Sequence, residues 1–135
     1  MEHPQWDPSL ATGDEVVDSE HRKIFVLVGG LVDASEQGCT DQFLEAAIGD
    51  LMEYAHGHFA HEEALMTRTR YPDTEHHLQL HRAFAETAEQ MADDCLSGVK
   101  ISVRGLADFL YRWLNEHILA EDRRLVEHVR AVDGR

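Results

Sequence analysis

Cysteine is nearly absent. The two present, Cys39 and Cys95, have no CxxC spacing and give no disulfide framework, which fits a reducing cytosol. Basic residues are scarce as well: 12 Lys and Arg stand against 26 Asp and Glu, a formal net charge of −14. Such a surface repels phosphate backbones and anionic headgroups, so neither nucleic acid nor a membrane surface is an expected partner. Long apolar runs are missing too. The longest, Ile24 to Val32, is too short to span a bilayer, and Met1 to Leu10 lacks a basic start followed by an apolar stretch, so neither insertion nor export is expected. Proline is limited to three residues, and no repeat or low-complexity tract appears. What remains is a 135-residue chain, 43% apolar, which suits one domain over residues 1–135 with a single core. It is expected to be cytoplasmic and monomeric.

Glycine and proline divide the chain into an arm, residues 1–17, and four helical segments at about 19–37, 40–69, 73–96 and 102–130. The arm holds Pro4, Pro8 and Gly13 and should run extended, pinned by Trp6 and Leu10. The first segment spaces Ile24, Leu27, Val28 and Leu31 as one face of a helix, and Gly38 supplies its stop. The second carries Leu44, Ile48, Leu51, Ala55 and Leu65, and Tyr71-Pro72 ends it. The third carries Leu80, Phe84, Ala88, Met91 and Cys95 and closes at Ser97-Gly98. The fourth starts at Ser102, a good N-cap, and shows Leu106, Phe109, Leu110 and Trp113. Short connections make successive helices antiparallel neighbours. The expected fold is therefore all-α, an up-down-up-down antiparallel four-helix bundle with an extended N-terminal arm.

Ten histidines in so short a chain are the anomaly. Each helical residue turns by about 100°, which sorts them by face. His21 continues the apolar stripe of the first segment. His58 and Glu62, four apart, lie on that of the second, and His77 and His81 on that of the third. His117 follows Trp113 by four on the fourth. A single inward histidine is most simply a buried neutral ring with a hydrogen-bond partner. Five of them, left unpartnered, would cost about 1 to 3 kcal/mol each, a large part of a domain's stability. A metal among them removes the difficulty. His56 and His76 turn away from these stripes, and His3 and His128 sit near the termini, so all four are expected in solvent; His61 is a flank position. A second carboxylate for two metals to share is found in Asp122, five residues after His117. On a regular α-helix that interval turns about 140°, onto the wrong face. A helix end or a π-type bulge between His117 and Asp122 is therefore expected.

Asp18-Ser19-Glu20-His21, His58-Phe59 with Glu62-Glu63, Tyr71-Pro72 with His77 and His81, and Trp113-Leu114 with His117-Ile118 and Asp122 together resemble the bacteriohemerythrins, the bacterial branch of the hemerythrin family. The resemblance covers nearly the whole chain. It implies a non-haem centre of two iron ions that binds dioxygen reversibly, with His77, His81 and His117 on one iron, His21 and His58 on the other, and Glu62 and Asp122 bridging, in an Fe–O(H)–Fe arrangement. Five imidazoles, two bridging carboxylates and one bridging hydroxide would fill eleven of the twelve positions of two six-coordinate irons. The open one belongs to the His21/His58 iron. Trp113, Leu114 and Ile118, grouped around His117, would wall the oxygen pocket against water, with Phe59 and Met66 as further contributors. Glu63, Asp18 and Glu116 are candidates to orient the ligand rings.

Storage, transport or delivery of oxygen to an oxygen-consuming enzyme is the expected role, without catalysis of its own. A sensor acting through a separate partner is the first alternative; an attached signalling segment would favour it, and the chain as read shows none. A ferritin-like di-iron oxidase needs two Glu-x-x-His motifs, and only Glu53-Tyr54-Ala55-His56 fits, with His56 facing away. A zinc protease fails because Leu65 stands where HExxH needs its second histidine. Raw affinity would favour copper or zinc at so nitrogen-rich a site, so iron rests on the resemblance.

Overall fold

The computed structural model describes residues 6–38, 40–97 and 102–134; His3, Pro4, Cys39 and Gly98, named above, lie outside them. The helices are α1 (Glu15–Glu36), α2 (Asp41–Thr69), α3 (Thr74–Ser97), α4 (Val103–His117) and α5 (Arg123–Asp133). One π-helical turn, Ile118–Asp122, joins α4 to α5, so the two form a single fourth rod. α1 packs on α2 and α4, and α3 on α2 and α4, closing an antiparallel four-helix bundle. Among the described residues no helix is long and apolar enough to cross a membrane.

Local chemistry sets the ends. Asp14 accepts from the Val16 and Val17 amides, so α1 begins at Glu15, four residues before the expected Ser19. Thr40 caps α2 through the Phe43 amide, and Ser102 caps α4 through Gly105. α2 stops where Arg70 turns left-handed, φ 53°, ahead of Tyr71-Pro72. Ahead of α1, the described part of the arm, residues 6–14, is largely extended and winds one 3-10 turn at Pro8–Leu10. It is tied down as expected by Leu10, 2% exposed, and by Trp6, whose ring lies 5.1 Å below the Arg22 guanidinium.

Two apolar clusters fill the bundle. The larger joins Ile24, Val28, Leu51, Phe84, Leu110 and Leu114; the smaller joins Met66, Tyr71, Leu125 and Val129. Along α2 the apolar sequence Ile48, Leu51, Ala55 gives way to His58 and Glu62 before Met66 resumes it. Along the fourth rod Leu110 and Leu114 give way to His117 and Asp122 before Leu125. A buried polar layer thus separates the clusters. Met66 packs into the smaller cluster, on the far side of that layer from Leu114.

Candidate metal centre

The polar layer draws on all four rods. α1 contributes His21, α2 His58 and Glu62, α3 His77 and His81, α4 His117, and the π turn Asp122; all seven are buried. The turn adds the rotation that a regular helix lacks, and it places the Asp122 carboxylate 3.0 Å from His117 Nε2. All five rings point Nε2 inward. His21 Nε2 stands 2.9 Å from Asp122 Oδ2, and His58 Nε2 3.2 Å from Glu62 Oε2. His81 Nε2 lies 3.1 Å from Glu62 Oε1, and His77 Nε2 is 3.3 Å from both carboxylates. His77 and His117 face each other, Nε2 to Nε2, at 3.2 Å.

Donor atoms at these spacings form two sets, each within 4.8 Å: Glu62, His77, His81, His117 and Asp122; and His21, His58, Glu62 and Asp122. The two carboxylates belong to both. Four of the inward atoms, His21 Nε2, Glu62 Oε2, His81 Nε2 and Asp122 Oδ1, are buried without a hydrogen bond of their own. Unpaired donors packed in a core are costly, and a cation that accepts their lone pairs answers for all of them at once. Neighbouring donors on one ion bonded at about 2.1 Å stand about 3 Å apart, which matches this layer. The donor set fits a metal pair.

Without metal the layer holds protons. Burial works against charge on His58, but Glu62 beside it and the hydrogen bond to Glu20 prevail and lift its pKa to about 10. Burial likewise opposes charge on His77, and the Asp122 carboxylate at 3.3 Å and the hydrogen bond to Glu62 raise it to about 9. Glu62 is held well below the usual carboxylate range: burial opposes this, while the His58 charge and the adjoining His77 and His81 rings outweigh it. Asp122 is lowered as well, against burial and the Glu62 charge, by His117 and His21.

The apolar side lies toward the larger cluster. The Trp113 ring stacks on His117 at 4.2 Å, and Phe59 stacks on His81 at 3.9 Å. Leu114 and Ile118 are buried in that cluster. Leu114, Phe59 and Phe84 also line a narrow, wholly apolar void with Ile24, Val28, Leu51 and Ala55. Ile24 is one turn from His21, and Ala55 one turn from His58.

The outer faces of the rings hold three surprises. Asp18 spends its carboxylate elsewhere: it accepts from the Thr12 amide and hydroxyl and the Gly13 amide, and so latches the arm. Glu116 is exposed. Of the three residues expected to orient the rings, only Glu63 does so, through His81 Nδ1 at 3.3 Å. Glu20 is the one sequence reasoning missed: its Oε1 takes a hydrogen bond from His58 Nδ1 at 2.9 Å and another from His61 Nδ1 at 2.8 Å. Its signal was its place on the apolar stripe of α1, four before Ile24 and seven before Leu27. His56 and His76 are exposed as expected, but His128 is half-buried and reaches the Thr69 carbonyl, which ends α2, at 2.8 Å.

Five imidazoles and two carboxylates converging from four rods define a cation-binding helical bundle. Residues 12–129 match the hemerythrin HHE cation binding domain. The chain belongs to the hemerythrin family. It is 32% identical to the bacteriohemerythrin of Pseudomonas aeruginosa over 130 residues, 96% of this chain and 84% of that one. Over 126 residues it is 29% identical to the bacteriohemerythrin of Stenotrophomonas maltophilia, covering 93% and 81%. A hemerythrin-like protein of Naegleria gruberi is 26% identical over 119 residues, covering 88% and 87%.

Proposed function

We propose that the chain binds dioxygen reversibly at a non-haem pair of iron ions, for storage or for delivery to an oxygen-consuming enzyme. The observation that carries this reading is the sharing of Glu62 and Asp122 by both donor sets, since two carboxylates common to two sites could be held in common by two ions. His77, His81 and His117 would hold one iron, and His21 and His58 the other. When bound, a ferrous pair supplies an open coordination position and the two electrons on which reversible dioxygen uptake depends.

The protein's part is to hold, orient and keep dry. Three imidazoles against two leave the His21/His58 side one donor short, so the small ligand is directed there. That side adjoins the small apolar void bounded by Ile24, Ala55, Phe59 and Leu114, a lining that offers water no hydrogen bond and suits an apolar diatomic. Trp113 and Phe59, stacked on His117 and His81, cover the ring faces of the other half with apolar surface. Glu63 keeps the His81 ring turned with Nε2 inward.

The test is iron per chain, followed by the visible spectrum through repeated cycles of air and argon. Two irons and a band that comes and goes reversibly support a carrier. Peroxide released on each cycle, or turnover of a substrate, would point to an oxidase instead.

A further inference from the structure

The five ligand rings differ sharply on their outer sides. His21 Nδ1 and His77 Nδ1 are buried with no hydrogen bond. His81 Nδ1 reaches Glu63 at 3.3 Å, but that carboxylate is 43% exposed. His58 has a short bond to a better shielded acceptor: Glu20 Oε1 at 2.9 Å, on a side chain 23% exposed. The same oxygen is held from outside by His61 Nδ1 at 2.8 Å. His58 and His61 stand three apart on α2, so they grip one oxygen from adjacent positions along the helix, while Glu20 comes from α1. The contact crosses between rods and spans 38 and 41 residues of chain.

We infer that Glu20 is the positioning residue for the His21/His58 half of the centre and that His61 anchors it there. The inference rests on the metal-pair reading. A ring that donates its Nδ1 hydrogen to a carboxylate has its Nε2 lone pair committed inward and becomes a stronger donor to an ion. Glu20 could otherwise swing toward water through the surface pocket that it lines with Asp50, Glu53 and Tyr54. The second bond, from His61, holds it against that motion. This half of the centre is the one with a single histidine besides His58, so its hold on an ion depends most on how well that ring is set.

The experiment is a stepwise anaerobic titration of metal-free protein with ferrous iron against a competing chelator, with Glu20→Ala, Glu20→Gln and His61→Ala beside the wild type. Wild type takes up two ions. Glu20→Ala is expected to keep one and to weaken the other about 10- to 100-fold, the usual effect of losing a ligand's hydrogen-bond partner. Glu20→Gln, whose amide oxygen still accepts from Nδ1, should recover most of the loss, and His61→Ala should fall between. Melting curves of the metal-free variants separate this role from a merely structural one, which would lower the melting temperature and weaken both ions together. Two ions held as tightly in Glu20→Ala as in wild type would overturn the inference, as would a Gln variant no better than Ala. Should Glu20→Ala not fold, the Gln and His61 variants decide alone: wild-type affinity in Gln with a weakened second ion in His61→Ala supports the inference, and an unweakened His61→Ala refutes it. A wild type that holds fewer than two ions would instead bring down the metal-pair reading itself.

Discussion

Loading the centre should expel protons, and their number can be worked out from the geometry. In the metal-free protein the Glu62 and Asp122 carboxylates hold His58 and His77 protonated, with pKa values near 10 and 9. At pH 7.5 both rings carry the proton almost completely. An ion can use neither Nε2 until that proton leaves, so filling the pair should release about two protons from these rings, besides any from water that enters with the ions. The overall loading constant should then fall close to 100-fold for each unit of pH lost between about 8 and 7. Rings with the ordinary histidine pKa of 6.5 would already be neutral over that range and give no such dependence. The assay is calorimetric titration with ferrous iron under argon, in buffers of different ionisation enthalpy, at several pH values. Release of one proton or fewer, or a loading constant that changes tenfold or less per pH unit, would refute the account of the layer as a proton store. The sign for stability follows from the same raised values. The stabilisation is complete below pH 6.5 and is lost as pH climbs through 9 and 10, so the metal-free protein should melt at lower temperature as pH rises across that window.

Other substitutions probe other parts. Leu114→Ala should destabilise the fold by about 2 to 5 kcal/mol, because it enlarges a void in the core, and should speed oxidation of the ferrous protein in air; an unchanged oxidation rate would refute its role as a wall. His77→Ala should lose metal while His56→Ala, on the exposed face, keeps both ions, as iron counts would show. Asp18→Ala removes the acceptor for three hydrogen bonds and should cost about 1 to 3 kcal/mol; hydrogen exchange at Thr12 and Gly13 should quicken, and unaltered protection there would count against the latch.

The rods are legible in the sequence because their buried faces repeat at helical spacing, as in Ile24, Val28 and Leu31 or Leu106, Leu110 and Leu114. The same periodicity carries the inward histidines, since a ligand must share the face that the core shares. Even the break between His117 and Asp122 can be read, as a mismatch of phase that only a wider turn resolves. Helix ends are harder. α1 starts at Glu15 because Asp14 caps it, and a cap close to an arm rich in Pro and Gly is easily read as part of the arm. Least legible are contacts between rods. Glu20 shares the α1 stripe, four before Ile24 and seven before Leu27, but its meeting with His58 and His61 depends on how α1 and α2 lean together. His128 meets the Thr69 carbonyl only because α5 packs back on α2, which no local pattern encodes.

The widened turn at Ile118–Asp122 works as a gear between two halves of one rod. Upstream, the inward teeth are Leu110, Leu114 and His117; downstream they are Asp122, Leu125 and Val129, and the spare residue between them sets the mesh. One further residue inserted beside the exposed Ala120 would alter no metal-facing side chain, yet it would rotate everything beyond it by about 100° and carry Asp122, Leu125 and Val129 off their marks together. In this protein the residue count on the outer side of the rod belongs to the metal chemistry as much as the side chains within.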